Sequence, residues 1–294
     1  MSGAAGVLAA QSAAPLAWYR LVELSQLLRE LVPPAAGPVV HGVTLLGDPE
    51  LLIGLLAMLY WNHHREKTVS VVSATFVALV AILALKWTFL APRPPMAARL
   101  VPIEPGGYGF PSGHATAATT VYGGLAISHG WSEDWRKVMG VVAIVVGVAL
   151  SRVLLGVHYL GDVIAGVALG SVVLALLAAG IRDRPSRGFA ASFIISVPAL
   201  ALTGLTPDAL LAVGGSLGGI VGVRYLHLVP PIRSTLERVV LSVVGLGYVG
   251  VMLALGSLVE SVVSAVLLVN VCMVVGIFLV PAAVGTLPDR WVGA

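Results

Sequence analysis

Cysteine is almost missing from this chain: Cys272 is the only one among 294 residues, and it lies inside an apolar run. An intrachain disulfide is thereby excluded, as is a cysteine-based metal or redox centre. Charge is nearly as scarce, at 11% of residues, where a soluble domain carries roughly 25%. The seventeen Lys and Arg and fourteen Asp and Glu leave a net charge of only +3 and form no basic stripe, so no nucleic-acid surface is expected. Residues 1–14 are small and apolar but open without a basic stretch, so no cleavable signal peptide is expected.

Apolar surface is abundant. Hydrophobic residues make up 58% of the chain, more than an aqueous fold of this length can hide, so the bilayer must be its solvent. The 34 glycines agree, because glycine is frequent in membrane helices and lets their backbones approach. The expected fold is all-α, a polytopic transmembrane helical bundle. Taking about 20 residues per crossing, nine spans are expected at 49–62, 68–91, 112–129, 137–156, 159–181, 188–204, 207–226, 236–256 and 259–283. Residues 15–33 read differently. Leu21, Leu24, Leu28 and Leu31 recur at helical spacing among Arg20, Glu23, Arg29 and Glu30, which predicts an interfacial amphipathic helix ending at Pro33-Pro34. The segments fall into an N-terminal interfacial part (1–43), a core (44–181) and a polar-poor set of extra helices (188–294).

Basic residues set the orientation. Arg65, Lys67, Arg136, Lys137, Arg182, Arg184, Arg187, Arg224, Arg233, Arg238 and Arg290 fall on one side, eleven of the seventeen. The positive-inside rule makes that side cytoplasmic. Arg93, Arg99 and Arg152, with Lys86 near the end of its span, lie toward the other.

Those outward cations belong to three short stretches that carry chemistry. The first is Lys86 with Arg93-Pro94. A cation at the membrane centre costs about 2.5–3.5 kcal/mol. A bound phosphate gives Lys86 a reason to be near the boundary, and snorkelling to the headgroups gives another. Arginine grips phosphate oxygens as a fork, lysine as a point charge. The second is Pro111-Ser112-Gly113-His114 ahead of an apolar run. Ser112 is a natural helix N-cap, the following turn offers free N–H groups to an anion, and Gly113 lets a phosphate approach the backbone. His114 is placed to protonate a departing oxygen. The third is Ser151-Arg152, then His158 and Asp162. A spacing of four stacks His158 and Asp162 on one helical face, so the carboxylate can hold one ring nitrogen while the other attacks phosphorus. Taken singly, each stretch reads as well as a snorkelling cation, a helix cap or a structural His–Asp pair. Together they fall in order, at one boundary of the membrane.

The pattern Lys-x6-Arg-Pro, Pro-Ser-Gly-His and Ser-Arg-x5-His-x3-Asp resembles the type 2 phosphatidic acid phosphatase family, which shares a superfamily with vanadium haloperoxidases and glucose-6-phosphatase. Every position of the signature is filled between residues 86 and 162. The resemblance implies His158 as nucleophile through a phosphohistidine, Asp162 as its orienting partner, and His114 as acid and later base. It implies Lys86, Arg93, Ser112, Gly113 and Arg152 as the phosphate-binding set. It also implies metal-independent catalysis with no cofactor. The chain departs from the common six-span layout: an amphipathic segment stands in place of an early span, and four spans follow the core.

The expectation is therefore a multi-pass cell-membrane phosphatase, its site on the extracytoplasmic side, cutting lipid phosphates or diphosphates. Polyprenyl diphosphates and phosphatidate-type lipids lead, with a lean to the former. Two rivals stand beside it: phosphoryl transfer to an alcohol acceptor, and a transporter or flippase with a vestigial phosphatase core. Gly245-Leu-Gly247-Tyr-Val-Gly250 spells a dinucleotide pattern, but Asn270 stands where an acid is needed, so close helix packing is expected there and at Gly214-Gly215 and Gly218-Gly219. Asn270 itself is expected to bond between helices. A metal set of His114, His158, Asp162 and Glu104 is disfavoured by the nearby cations.

Overall fold

In the computed structural model, residues 17–103, 105–232 and 234–285 are described. Glu104, Arg233 and Arg290, used above, lie outside them, as do residues 15 and 16. The described residues are helical, with no strand. The helices are α1 (Val22–Glu30), α2 (Gly37–Leu45), α3 (Pro49–Asn62), α4 (Arg65–Phe89), α5 (Gly113–Ser128), α6 (Trp135–Leu154), α7 (Leu160–Leu176), α8 (Pro185–Thr203), α9 (Pro207–Arg224), α10 (Thr235–Leu258) and α11 (Val263–Gly285).

Each expected span contains a helix. Among the described residues, six segments are long and apolar enough to cross a membrane: Arg65–Phe89, Trp135–Leu154, Leu160–Ile181, Pro185–Thr203, Thr235–Leu258 and Val263–Gly285. A seventh arises if Pro34–Leu45 and Pro49–Asn62, bent by 41°, count as one span. α5 falls short because it has only 16 residues before His129 and the left-handed Gly130 end it. Large apolar side chains point outward, with Val243 at 67% and Leu268 at 63% exposure. In water such surfaces would drive association; against lipid they are solvated. The chain is a multi-pass membrane protein.

Contacts divide the chain into two units. The first comprises Met1–Leu51 and Ala81–Leu174, the second Leu52–Val80 and Ala175–Ala294. In the first, α5 packs on α6, and α1 and α2 pack on α6 as well. α7 crosses α5 at small residues: a Cβ on Gly166 would stand 2.6 Å from the Ser112 carbonyl oxygen, and one on Gly170 2.6 Å from Thr119 Cβ. Ala115, Ala149, Val153 and Val163 form the buried seam among these helices, with Leu28 of α1 packed against it.

The second unit has the larger aromatic core, around Tyr60, Trp61, Phe189 and Phe278. Polar tips inside it are paired: the Tyr60 hydroxyl donates to the Phe278 carbonyl and the Trp61 indole N–H to that of Ile277, both at 2.8 Å. Gly214, Gly218 and Gly222 line the face of α9 that meets α11, where Asn270 Cβ, the Val271 carbonyl and the Phe278 ring leave no room for a side chain. Gly245 is likewise covered by the Trp61 ring, whereas Gly247 and Gly250 have nothing within 4 Å and do not share its packing role.

Candidate active site

The loop between α4 and α5 is pinned by one arginine. Arg93 donates from Nε to the Gly107 carbonyl (3.0 Å), from Nη2 to that of Gly106 (2.8 Å) and from Nη1 to that of Val157 (3.1 Å). The same Nη1 lies 2.9 Å from His158 Nε2. Arginine carries only donors, so Nε2 is the acceptor and holds a lone pair. Nδ1 then bears the ring proton.

That proton faces Asp162. Nδ1 stands 3.6 Å from Asp162 Oδ2, slightly beyond hydrogen-bond length, and is buried with no other partner. His158 is 1% exposed and Asp162 not at all. Burial pushes the His158 imidazole well below its ordinary range, to about 3; the Asp162 carboxylate opposes that shift and the Arg93 charge adds to it. The ring is therefore neutral. Burial also lowers Arg93, to about 10, which leaves it charged at neutral pH.

The turn that presents His158 follows from local geometry. α6 ends at Leu154, and the Arg152 carbonyl accepts from both Val157 N–H and His158 N–H at 3.2 Å. Gly156 makes the reversal at φ +71°, where a Cβ would sit 1.9 Å from the Ala98 carbonyl oxygen. Only glycine fits on both counts. One turn later Asp162 stands in the first turn of α7.

Asp162 is gripped by a residue that the sequence patterns did not single out for the site. Arg20 donates from Nε to Oδ1 and from Nη2 to Oδ2, both at 2.8 Å, while the Tyr159 N–H donates to Oδ2 at 2.9 Å. Arg20 also donates to the Pro92 carbonyl and lies over the Tyr159 ring. It belongs to a short 3-10 turn, Ala17–Arg20, that precedes α1, and it is 5% exposed. The expected amphipathic pattern put Arg20 on a wet face; Leu21, in the left-handed region at φ 52°, breaks the helix there and leaves Arg20 turned inward. Gly161 makes room for this segment, since a Cβ there would meet the Tyr19 carbonyl at 2.0 Å.

Ser112 caps α5, accepting from the Ala115 N–H, and its own N–H donates to the Asp162 carbonyl at 2.9 Å. Gly113 and His114 open the helix, and Gly47 packs against the His114 backbone. Arg152 is 5% exposed; its Nη1 donates to Thr44 Oγ1 at 2.9 Å, while its Nε is buried without a hydrogen-bond partner. Lys86, in the last turn of α4, acts on the charge of His114 together with Arg93, Arg152 and His158. The eight expected residues thus gather in the first unit, and Arg20 and Thr44 join them. Three cations, two imidazoles and a capped helix N-terminus can hold a phosphoryl group and move protons around it. Among the described residues no set of three or more His, Cys, Asp and Glu gathers as metal ligands.

Known proteins share this region. The family profile described as PAP2 superfamily matches residues 67–186. The decaprenylphosphoryl-5-phosphoribose phosphatase of Mycobacterium tuberculosis is 34% identical over 128 residues, covering 43% of this chain and 68% of that protein. Sphingosine-1-phosphate phosphatase 2 of Mus musculus is 34% identical over 140 residues, covering 45% of this chain and 38% of that one, and its Homo sapiens counterpart is 33% identical. No solved structure matches closely enough to count as a relative. The chain belongs to the PAP2 superfamily and is a phosphoric ester hydrolase.

Proposed function

We propose that this protein is a membrane lipid phosphatase that works through a phosphohistidine on His158. The observation that carries the reading is the 2.9 Å approach of Arg93 Nη1 to His158 Nε2, which assigns the lone pair to the nitrogen facing the cations. His158 Nε2 and the incoming phosphate compete for the donors of Arg93. When the phosphate arrives, Arg93 turns its donors to the phosphoryl oxygens and frees Nε2.

The reaction then runs in two displacements. Nε2 attacks phosphorus, the P–O bond to the lipid breaks, and the oxygen leaves with the electron pair and takes a proton from His114. The imidazolium formed on His158 keeps its Nδ1 proton toward Asp162, which Arg20 holds in place. Water next attacks phosphorus, giving a proton back to His114, and the P–N bond breaks to release phosphate and restore neutral His158. Lys86, Arg93, Arg152, the Ser112 region and the Gly113 N–H stabilise the charge on the phosphoryl oxygens. The phosphate dianion offsets the charges of Lys86, Arg93 and Arg152 around His114, so the imidazolium that acts as acid forms in the substrate complex rather than in the empty site.

Residues 44–181 serve as the core and 188–294 as added helices, while the interfacial segment 1–43 contributes Arg20 from the 3-10 turn ahead of α1. Nine crossings with the site at the extracytoplasmic boundary fit the distribution of Lys and Arg. A boundary site suits a substrate whose tail stays in the bilayer. The names of the relatives, one acting on a decaprenylphosphoryl sugar phosphate and the other on sphingosine-1-phosphate, favour a phosphate on a long-chain lipid, and a polyprenyl-linked phosphate is the first to try.

The test is phosphate release by detergent-solubilised protein from polyprenyl and sphingoid phosphates, with an alkaline quench to trap the acid-labile phosphohistidine. Wild type should release phosphate and retain label on the protein; His158→Ala should do neither. A fully active His158→Ala protein would end the proposal.

A further inference from the structure

The second unit contains a cavity that the catalytic chemistry does not use. It has a volume of about 440 Å³ and lies where α3 ends, α4 begins and α10 starts. Its wall is formed by Asn62, His63, His64, Arg65, Glu66, Lys67, Pro231, Ile232 and Arg238. Three permanent cations thus face one acid. Cytoplasmic loops of membrane proteins are rich in Lys and Arg for reasons of topology alone, but topology does not fold those residues around a concave space.

We infer that this cavity is a second anion site, built to take a phosphate group. Two further features point that way. Arg65 is held by one arm only: Nη1 donates to the Pro230 carbonyl, while Nη2 is buried with no hydrogen-bond partner. A buried guanidinium N–H left unpaired is costly, and an anion in the cavity relieves that cost. The same residue opens α4, a helix of 25 residues, whose first-turn N–H groups and dipole favour negative charge there. Glu66 is the one acid in the wall and leaves the three cations in excess. Glu237 is turned to the Ser234 N–H in a capping box, and Asn62 is tied to the Met58 carbonyl and the Ser242 hydroxyl.

The phosphate can come from an anionic lipid headgroup or from free phosphate, and the chemistry of recognition is the same. The experiment uses full-length protein, delipidated in a neutral detergent. Binding is measured by native mass spectrometry and by the shift in melting temperature with dioleoyl phosphatidylglycerol, dioleoyl phosphatidylcholine and inorganic phosphate, and the cavity variants below separate this site from the catalytic centre. Arg65→Gln should weaken binding of the anionic probe about ten-fold, the effect of losing one charge-assisted contact. Because Arg65 also holds Pro230, the double variant Lys67→Gln/Arg238→Gln is made in parallel; no side-chain bond of theirs anchors the fold, and it should show the same loss. Arg182→Gln/Arg184→Gln, basic but outside the cavity wall, should bind as wild type. A response to phosphatidylglycerol alone assigns a lipid headgroup, and an equal response to inorganic phosphate assigns a soluble anion. Wild-type binding by both cavity variants, or equal loss in the Arg182/Arg184 control, overturns the site. Hydrolysis of a short-chain lipid phosphate should be unchanged in the Lys67/Arg238 variant, so a failure of the anion site is distinct from a failure of the proposed catalytic mechanism.

Discussion

Arg20 and Asp162, 142 residues apart, are joined by two parallel hydrogen bonds of 2.8 Å inside the protein, where Arg20 is 5% exposed and Asp162 fully buried. Such a fork fixes the plane of the carboxylate as well as its position. The orientation of Oδ2 toward His158 then depends on a residue outside the family signature. Arg20→Gln should lower kcat by about 10–100-fold, the usual effect of losing an orienting partner, with KM changed far less. Removing one member of a buried pair also leaves its partner uncompensated, at about 3–5 kcal/mol. Arg20→Lys keeps the charge and should recover melting temperature more than kcat, since lysine cannot form the fork. Equal recovery of both, or a loss confined to KM, would argue for a purely structural bond.

The difference between what sequence could and could not reveal follows from this pair. Ser112 at a helix cap and Asp162 four residues past His158 lie within short sequence spacings, so short-range rules reach them, although His158 stands in the turn ahead of α7 and not on one helical face with Asp162 as expected. Arg20 reaches its partner across most of the first unit, and no local period records that. Its neighbours Leu21, Leu24, Leu27 and Leu31 are all exposed. The leucine spacing in this stretch reads as an amphipathic helix from the sequence, and that reading masks the inward turn at Arg20. α2 is hidden for another reason. It contains Gly37, Pro38 and Gly42, residues of low helix propensity, yet Pro38 sits in the first turn, where proline is tolerated, and the helix carries Thr44 to Arg152. The number of crossings is equally hard to read, because several apolar runs form helices close to the minimum length.

The turn before His158 should tolerate no side chain at its apex. Gly156→Ala must adopt φ +71° and place Cβ against the Ala98 carbonyl. The expected loss is at least ~3 kcal/mol of stability, in the range of severe single substitutions, together with activity. Gly106→Ala is the control: it has nothing within 4 Å and keeps the carbonyl that Arg93 uses. Thermal unfolding in detergent separates the two, and similar melting temperatures would contradict the geometry.

Acid should destabilise the protein partly through His158. Its folded pKa of about 3 lies below the ordinary 6.5, so between those values the unfolded chain binds the proton and the folded chain does not. Stability is therefore complete above about pH 6.5 and is lost as the pH falls toward 3. His158→Asn removes this titration. Its melting temperature should fall less between about pH 7 and pH 5 than that of wild type; parallel slopes would show that His158 is not buried in neutral form.

Arg93 offers the sharpest contrast between charge and shape. At neutral pH it is charged, and it spreads that charge over four acceptors at once: the carbonyls of Gly106, Gly107 and Val157, and His158 Nε2. Lysine would keep the charge but has one nitrogen on a flexible stem. It cannot bridge the loop to the His158 turn and turn toward a phosphoryl group as well. Arg93→Lys should therefore lower kcat/KM by about 10²–10³-fold, the scale seen for losing one donor to a developing oxyanion. The His158 ring, freed from Nη1, should also lose its fixed tautomer. Nitrogen-15 shifts of the imidazole report this directly: wild type should show a single Nδ1-protonated form, and Arg93→Lys a mixture. A single unchanged tautomer in the variant would mean that Asp162 alone orients the ring and that Arg93 has no part in fixing the lone pair on Nε2.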